Sequence, residues 1–123
     1  MKKICLLIAM IIAVSLLPVL PSIGQETIIV RTSSSGLKTS SAVIVSEGNA
    51  KRLCGVLVLT DGSNNATITL YDSSTGATGK ILFKATIPAA SRFGGAMFNI
   101  PVRASQGIYA QISGTGASYI VYY

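Results

Sequence analysis

The chain has 123 residues, half of them hydrophobic and only 11% charged, with a formal net charge of +6 and no histidine or tryptophan. Without His it lacks the commonest general base, the commonest metal ligand and the usual partner of a Ser or Cys nucleophile. Four acidic residues in all leave little material for paired-carboxylate or calcium chemistry.

Residues 1–24 read as a secretory signal. Met1-Lys2-Lys3 is a basic start, and residues 4–20 form an apolar run interrupted only by Ser15 and Pro18. Ser22 and Gly24 then supply small residues at the −3 and −1 positions of a cleavage site. A run of 17 residues is at the short limit for a bilayer span, and Pro18 and Pro21 break its last turn. Cleavage is therefore expected, with a retained membrane anchor as the alternative. Gln25 rather than Cys follows the cut, so no lipoprotein anchor is expected. The order of features implies export, to the medium, the periplasm or the cell surface.

The mature part, residues 25–123, keeps eight basic and four acidic residues, a net charge of +4. The basic residues are scattered, with Lys51-Arg52 the only adjacent pair. A nucleic-acid surface needs them clustered and interleaved with aromatics, so none is expected. Cys5 leaves with the signal, and Cys54 alone remains within an apolar run. It reads as a small buried hydrophobe, with a thiol cross-linking two chains as the alternative.

After residue 25 the apolar residues recur with period two, which places alternate side chains on opposite faces of a strand. Residues 27–31 and 42–46 are short and β-branched. Residues 53–59, Leu-Cys-Gly-Val-Leu-Val-Leu, are apolar on both faces. That fits a central strand covered on both sides, or one whose second face is used in assembly. Residues 66–72 alternate, with Ala66, Ile68 and Leu70 facing in and Thr67, Thr69 and Tyr71 facing out. In residues 80–87, Ile81, Phe83, Ala85 and Ile87 are expected inside and Leu82 outside. Residues 96–102 contain Pro101, which suits an edge strand or a bulge. Residues 107–113 alternate again, and 118–123 end in Tyr123, which is expected to dock in a sheet.

Turn chemistry separates the runs. Asp61-Gly62-Ser63-Asn64-Asn65 reads as a hairpin loop, Asp72 opens a longer Ser/Thr/Gly loop, and Gly114-Thr115-Gly116 closes the last hairpin. Ser33-Ser34-Ser35-Gly36 reads as a flexible connector. Eight short strands in about 99 residues predict an all-β, antiparallel sandwich or jelly-roll-like domain.

Asp61 and Asp72 flank one strand, about 35 Å apart at strand rise, so they cannot converge as a catalytic pair within it. Glu47 before Gly48-Asn49 also reads as a turn acid. Gly94-Gly95 is followed by no helix, so a bulge or a close backbone approach explains it better than a phosphate loop. Asn65-Ala66-Thr67 matches a glycosylation sequon near a hairpin tip. No enzyme activity, cofactor or metal is expected.

Three segments taken together carry a resemblance: residues 55–62 (GVLVLTDG), residues 66–72 leading to Lys80-Ile81-Leu82-Phe83, and the closing run through Pro101-Val102-Arg103, residues 107–110 and residues 113–123. Their order resembles small β-rich proteins encoded among phage and prophage structural genes. The resemblance covers residues 50–123 and implies a virion or appendage subunit without catalytic residues. The secretory signal departs from that pattern and implies recruitment to an exported role, or a virus assembled at a membrane.

Two functions follow as expectations. The first is a non-enzymatic exported structural subunit that self-assembles into a filament, virion, appendage or surface layer, with copies of itself or other structural subunits as partners. Its expected contact residues are Ile28, Ile29 and Val30, exchanged as an N-terminal strand, with Val56 and Val58. The second is a monomeric binding module for a cell-surface glycan, using Tyr71, Tyr109, Tyr119, Tyr122 and Tyr123.

Overall fold

The computed structural model describes residues 32–46 and 51–123. The signal segment and the strand expected over 27–31 lie outside the described residues, as does Glu47. Seven strands follow in order: β1 (Ala42–Val45), β2 (Lys51–Leu59), β3 (Ala66–Asp72), β4 (Lys80–Ile87), β5 (Phe93–Ala104), β6 (Ile108–Ser113) and β7 (Ser118–Tyr122). A single 3-10 turn, Ala89–Ser91, links β4 to β5. Among the described residues no helix is long and apolar enough to cross a membrane.

The strands form two antiparallel sheets, ordered β1-β6-β3-β4 and β5-β2-β7. Their inward residues share one core, with Leu53, Val56, Val58, Tyr119 and Val121 from one sheet and Ile68, Leu70, Ile108 and Ala110 from the other. Phe83 of β4 and Phe98 of β5 meet edge to face at the margin, 5.6 Å between ring centres. The arrangement is sandwich-like, as the alternation predicted. The residues expected to face inward in β3 and β6 do so, because period two survives wherever one face is wet.

Three differences have physical causes. In β4, Tyr71 pairs with Ile81 and Leu70 with Phe83, so Leu82 is an extra residue in a bulge. A one-residue insertion reverses facing. Ile81 is therefore 51% exposed, while Leu82 packs on the core. In β5, the strand begins at Phe93 rather than 96, running through both glycines. A Cβ at Gly95 would overlap the Val56 carbonyl oxygen, so the close approach to β2 requires glycine there. The register then jumps from Gly55–Met97 to Leu53–Val102, leaving residues 98–101 without partners on β2. Pro101 falls in this excursion on an edge strand, where its missing N–H costs no ladder bond.

The third difference is the Ser33–Gly36 segment. It is not a free connector but lies along the outer edge of β7. Ser33 and Tyr123 exchange backbone bonds of 2.6 and 2.9 Å, Ser35 N donates to Val121 O, and Lys38 exchanges bonds with Tyr119. Isolated antiparallel bridges join Ser34 to Tyr122 and Lys38 to Tyr119. With this segment included, the pairings nest: 33–38 with β7, β1 with β6, β2 with β5, and β3 with β4.

Candidate assembly and ligand-binding faces

The inner and outer faces of β2 are both apolar, as expected, but they have different fates. Val56 and Val58, expected as contact residues, are fully buried between the sheets. Their neighbours Leu57 and Leu59 point the other way. Leu57 pairs with Gly95 on one side and Ile120 on the other, and Leu59 pairs with Phe93. Phe93 and Met97 are 67% and 68% exposed. Because Gly95 has no side chain, the surface dips between them into an open groove of about 630 Å³, reaching Leu57 and Tyr122. None of these outward residues is charged. A contiguous apolar patch of this kind is a candidate interaction surface. Sequence reasoning missed Phe93, Met97, Leu57 and Leu59. Carrying the alternation through the glycine pair would have found Phe93 and Met97.

Ile28, Ile29 and Val30 lie outside the described residues.

The five tyrosines are divided. Tyr71 and Tyr109 are direct cross-strand partners on the outer face of the four-stranded sheet. Val43 pairs with Tyr109 and Ile81 with Tyr71, which makes a row across all four strands. The next rows are polar, with Gln111, Thr69 and Lys84, then Ser113, Thr67 and Thr86. The Tyr71 hydroxyl donates to Gln111 Oε1 at 3.2 Å, and the Thr67 and Thr86 hydroxyls lie 2.8 Å apart. Tyr122 is on the outer face of the other sheet, and Tyr123 packs at the margin of the core. Tyr119 and Tyr123 therefore share the core-facing side, with Tyr122 opposite.

Tyr119 is fully buried, so it offers no ligand-binding surface. Its hydroxyl donates to the Ser40 carbonyl at 3.0 Å. Burial, with a smaller contribution from Tyr109, pushes its pKa from 10.0 up to about 12. The unfolded chain thus loses this proton at lower pH than the folded one. Stability is fully present below pH 10 and is lost as pH rises towards 12. Urea midpoints should fall across that window, by about 2 kcal/mol in unfolding free energy. In Tyr119→Phe the decline should flatten.

The two acids that the sequence assigned to turns are held there by backbone donors. Asp61 Oδ1 accepts from Ser63 N and Asn64 N, both at 2.8 Å, and Asn64 Nδ2 bonds Oδ2. The Asn64 side chain, then these backbone N–H groups, lower its carboxyl below 3.8. Asp72 Oδ1 accepts from Gln106 N at 2.7 Å and Gly107 N at 3.3 Å, tying the β3 end to the β5–β6 turn. Burial alone would raise the Asp72 carboxyl. The N–H groups of Gln106, Ser105 and Gly107, with Lys80, outweigh it and hold the group below 3.8. This stability is present above the ordinary carboxylate range and is lost as pH falls through the depressed value. Asp72→Asn should cost about 1 kcal/mol at pH 7, read by urea denaturation, and less at pH 3.

Among the described residues no three His, Cys, Asp or Glu side chains come together as a metal site. Cys54 is half-buried at the β2 bulge, its thiol 3.4 Å from the Arg52 carbonyl. Asn65, of the sequon, is exposed, and its Oδ1 accepts from Ala89 N at 2.9 Å.

No family model, no curated protein and no solved structure matches this chain.

Proposed function

We propose that this chain is an exported, non-enzymatic structural subunit that assembles with copies of itself into a filament, a virion or appendage, or a surface layer. The observation that carries the reading is an uncharged apolar patch on the outer face of the three-stranded sheet, where Phe93 and Met97 stand exposed around the Gly95 groove. A soluble subunit gains most from such a face when a neighbour covers it. The nested pairing, with the 33–38 segment as an eighth strand, supports a jelly roll, a fold well suited to edge-to-edge and face-to-face assembly. Residues 1–24 are read as a cleaved export signal, and the resemblance to phage structural proteins agrees with a role of this kind. N-terminal strand exchange through Ile28, Ile29 and Val30 is one route to assembly.

The glycan-binding reading keeps one specific support. Tyr71 and Tyr109 lie side by side among hydroxyl and amide groups, which is the composition of a sugar-stacking surface. Of its other residues, Tyr119 is buried and Tyr122 belongs to the opposite face.

Expression of the full chain with export intact tests the structural reading. The culture should yield protein beginning at Gln25 that sediments as regular particles in negative stain. Exported protein that stays dispersed and is retained on polysaccharide through Tyr71 and Tyr109 would replace it with the glycan reading.

A further inference from the structure

The 33–38 segment is bound in an unusual way for an element that completes a sheet. It buries no apolar side chain: Ser33, Ser34, Gly36, Leu37 and Lys38 are exposed and Ser35 is half-buried. Its single large apolar residue, Leu37, is 61% exposed. What holds it is a handful of hydrogen bonds to the β7 edge, and these form an irregular ladder. Four residue steps from Ser34 to Lys38 run against three from Tyr122 to Tyr119. Val121 N is satisfied by the Ser35 hydroxyl rather than by a carbonyl. Each such bond contributes little net stability, because water competes for the same groups.

The strand beneath it is the opposite. β7 carries Tyr119 and Val121 into the core and is fixed on its other side to β2. When the segment lifts away, β7 presents a rigid, open row of backbone donors and acceptors, which templates strand addition. The hinge is also defined. Ser40 O is held by the Tyr119 hydroxyl, and the Ser41 hydroxyl accepts from Ile112 N at 3.0 Å. The segment can therefore swing about residue 39 while β1 stays in place.

We propose that residues 33–38 exchange between copies, each segment pairing with the β7 edge of a neighbour. The occupant follows from the ladder itself. The same segment of a second copy makes the same bonds, including the Ser35 hydroxyl to Val121 N, so exchange forfeits no contact. The inference rests on the self-assembly reading and moves the exchanged strand from the one carrying Ile28, Ile29 and Val30 to 33–38.

The test uses chains carrying Cys54→Ser. Ser34 and Tyr122 face each other as a narrow, non-hydrogen-bonded antiparallel pair, whose spacing suits a disulfide. Chains with Ser34→Cys are assembled together with chains carrying Tyr122→Cys, then oxidised. Particles should contain a disulfide joining one chain of each kind, identified by mass spectrometry. Chains carrying both substitutions should give ladders of linked chains. Particles in which the doubly substituted chain links only to itself, and the mixture yields no joint species, would overturn the exchange and leave self-assembly standing. Absence of particles from the Cys54→Ser parent would remove the self-assembly reading and the exchange with it. A peptide of residues 32–39 provides a measurement independent of these substitutions. In excess it should reduce assembly several-fold, whereas the same peptide with Ser35→Pro, lacking the N–H that bonds Val121 O, should not. Equal inhibition by both peptides, or by neither, would count against the exchange.

Discussion

Gly95→Val should abolish folding of the domain. The position sits at φ +151°, on the left-handed side that side chains rarely adopt, and a Cβ there would overlap the Val56 carbonyl. Neither partner can yield cheaply. Val56 is buried in the core, and its strand is paired on both sides, with β5 and β7. The strand must therefore separate from β2 along the Gly94–Met97 stretch, at a cost of more than about 4 kcal/mol from lost ladder bonds and backbone strain. A domain of this size has a total stability of about 5–15 kcal/mol, so the variant should be largely unfolded or recovered as aggregate. Gly36→Ala gives the contrast. It has φ +64° but nothing within 4 Å, so it should cost only about 1 kcal/mol. Circular dichroism melts of the two variants would separate close approach from backbone freedom. A folded Gly95→Val protein would contradict the close approach of β5 to β2 at this position.

Phe93→Glu combined with Met97→Glu should dissolve the assembly without weakening the fold. Neither residue belongs to the core cluster, and both are about two-thirds exposed in the single chain. Their removal leaves the packing of Val56, Val58 and Tyr119 untouched, so Tm should shift by only a few degrees. In an assembled state each side chain removes about 1–3 kcal/mol of apolar surface from water, and two carboxylates in the same place must also be desolvated. The double variant should therefore weaken association at least about a hundredfold. Static light scattering across a dilution series checks it, with thermal melts on the same samples. Undiminished assembly at an unchanged Tm would place the contact elsewhere on the subunit.

The sheet architecture was largely legible because the inward residues of β3 and β6 keep strict period two, and because Gly, Asn and Asp mark the turns between strands. Legibility failed where one residue changes the parity. Nothing local in Lys80-Ile81-Leu82-Phe83 announces the bulge opposite Leu70 and Tyr71, which turns Ile81 out and Leu82 in. The glycine pair at 94–95 was legible as a bulge or close backbone approach, and Gly95 does lie against Val56 of β2, but the strand was started only at 96. Losing residues 93–95 from the strand hid Phe93, and with it the apolar outer face. Ser33-Ser34-Ser35-Gly36 has the composition of a linker because its order comes from the β7 edge and not from its own side chains. A long-range pairing of this kind leaves no trace in local composition. The sequence groups the five tyrosines as one candidate ligand-binding set. Their division between the core and two opposite faces depends on strand order, which periodicity does not encode.

The most direct measurement is the mass of the mature protein, residues 25–123, by light scattering over a wide concentration range, with negative-stain images of the same samples. The account predicts a mass of many chains that persists on moderate dilution and falls to one chain with Phe93→Glu and Met97→Glu. A single-chain mass at every concentration, with Phe93 and Met97 left open to water, would contradict it.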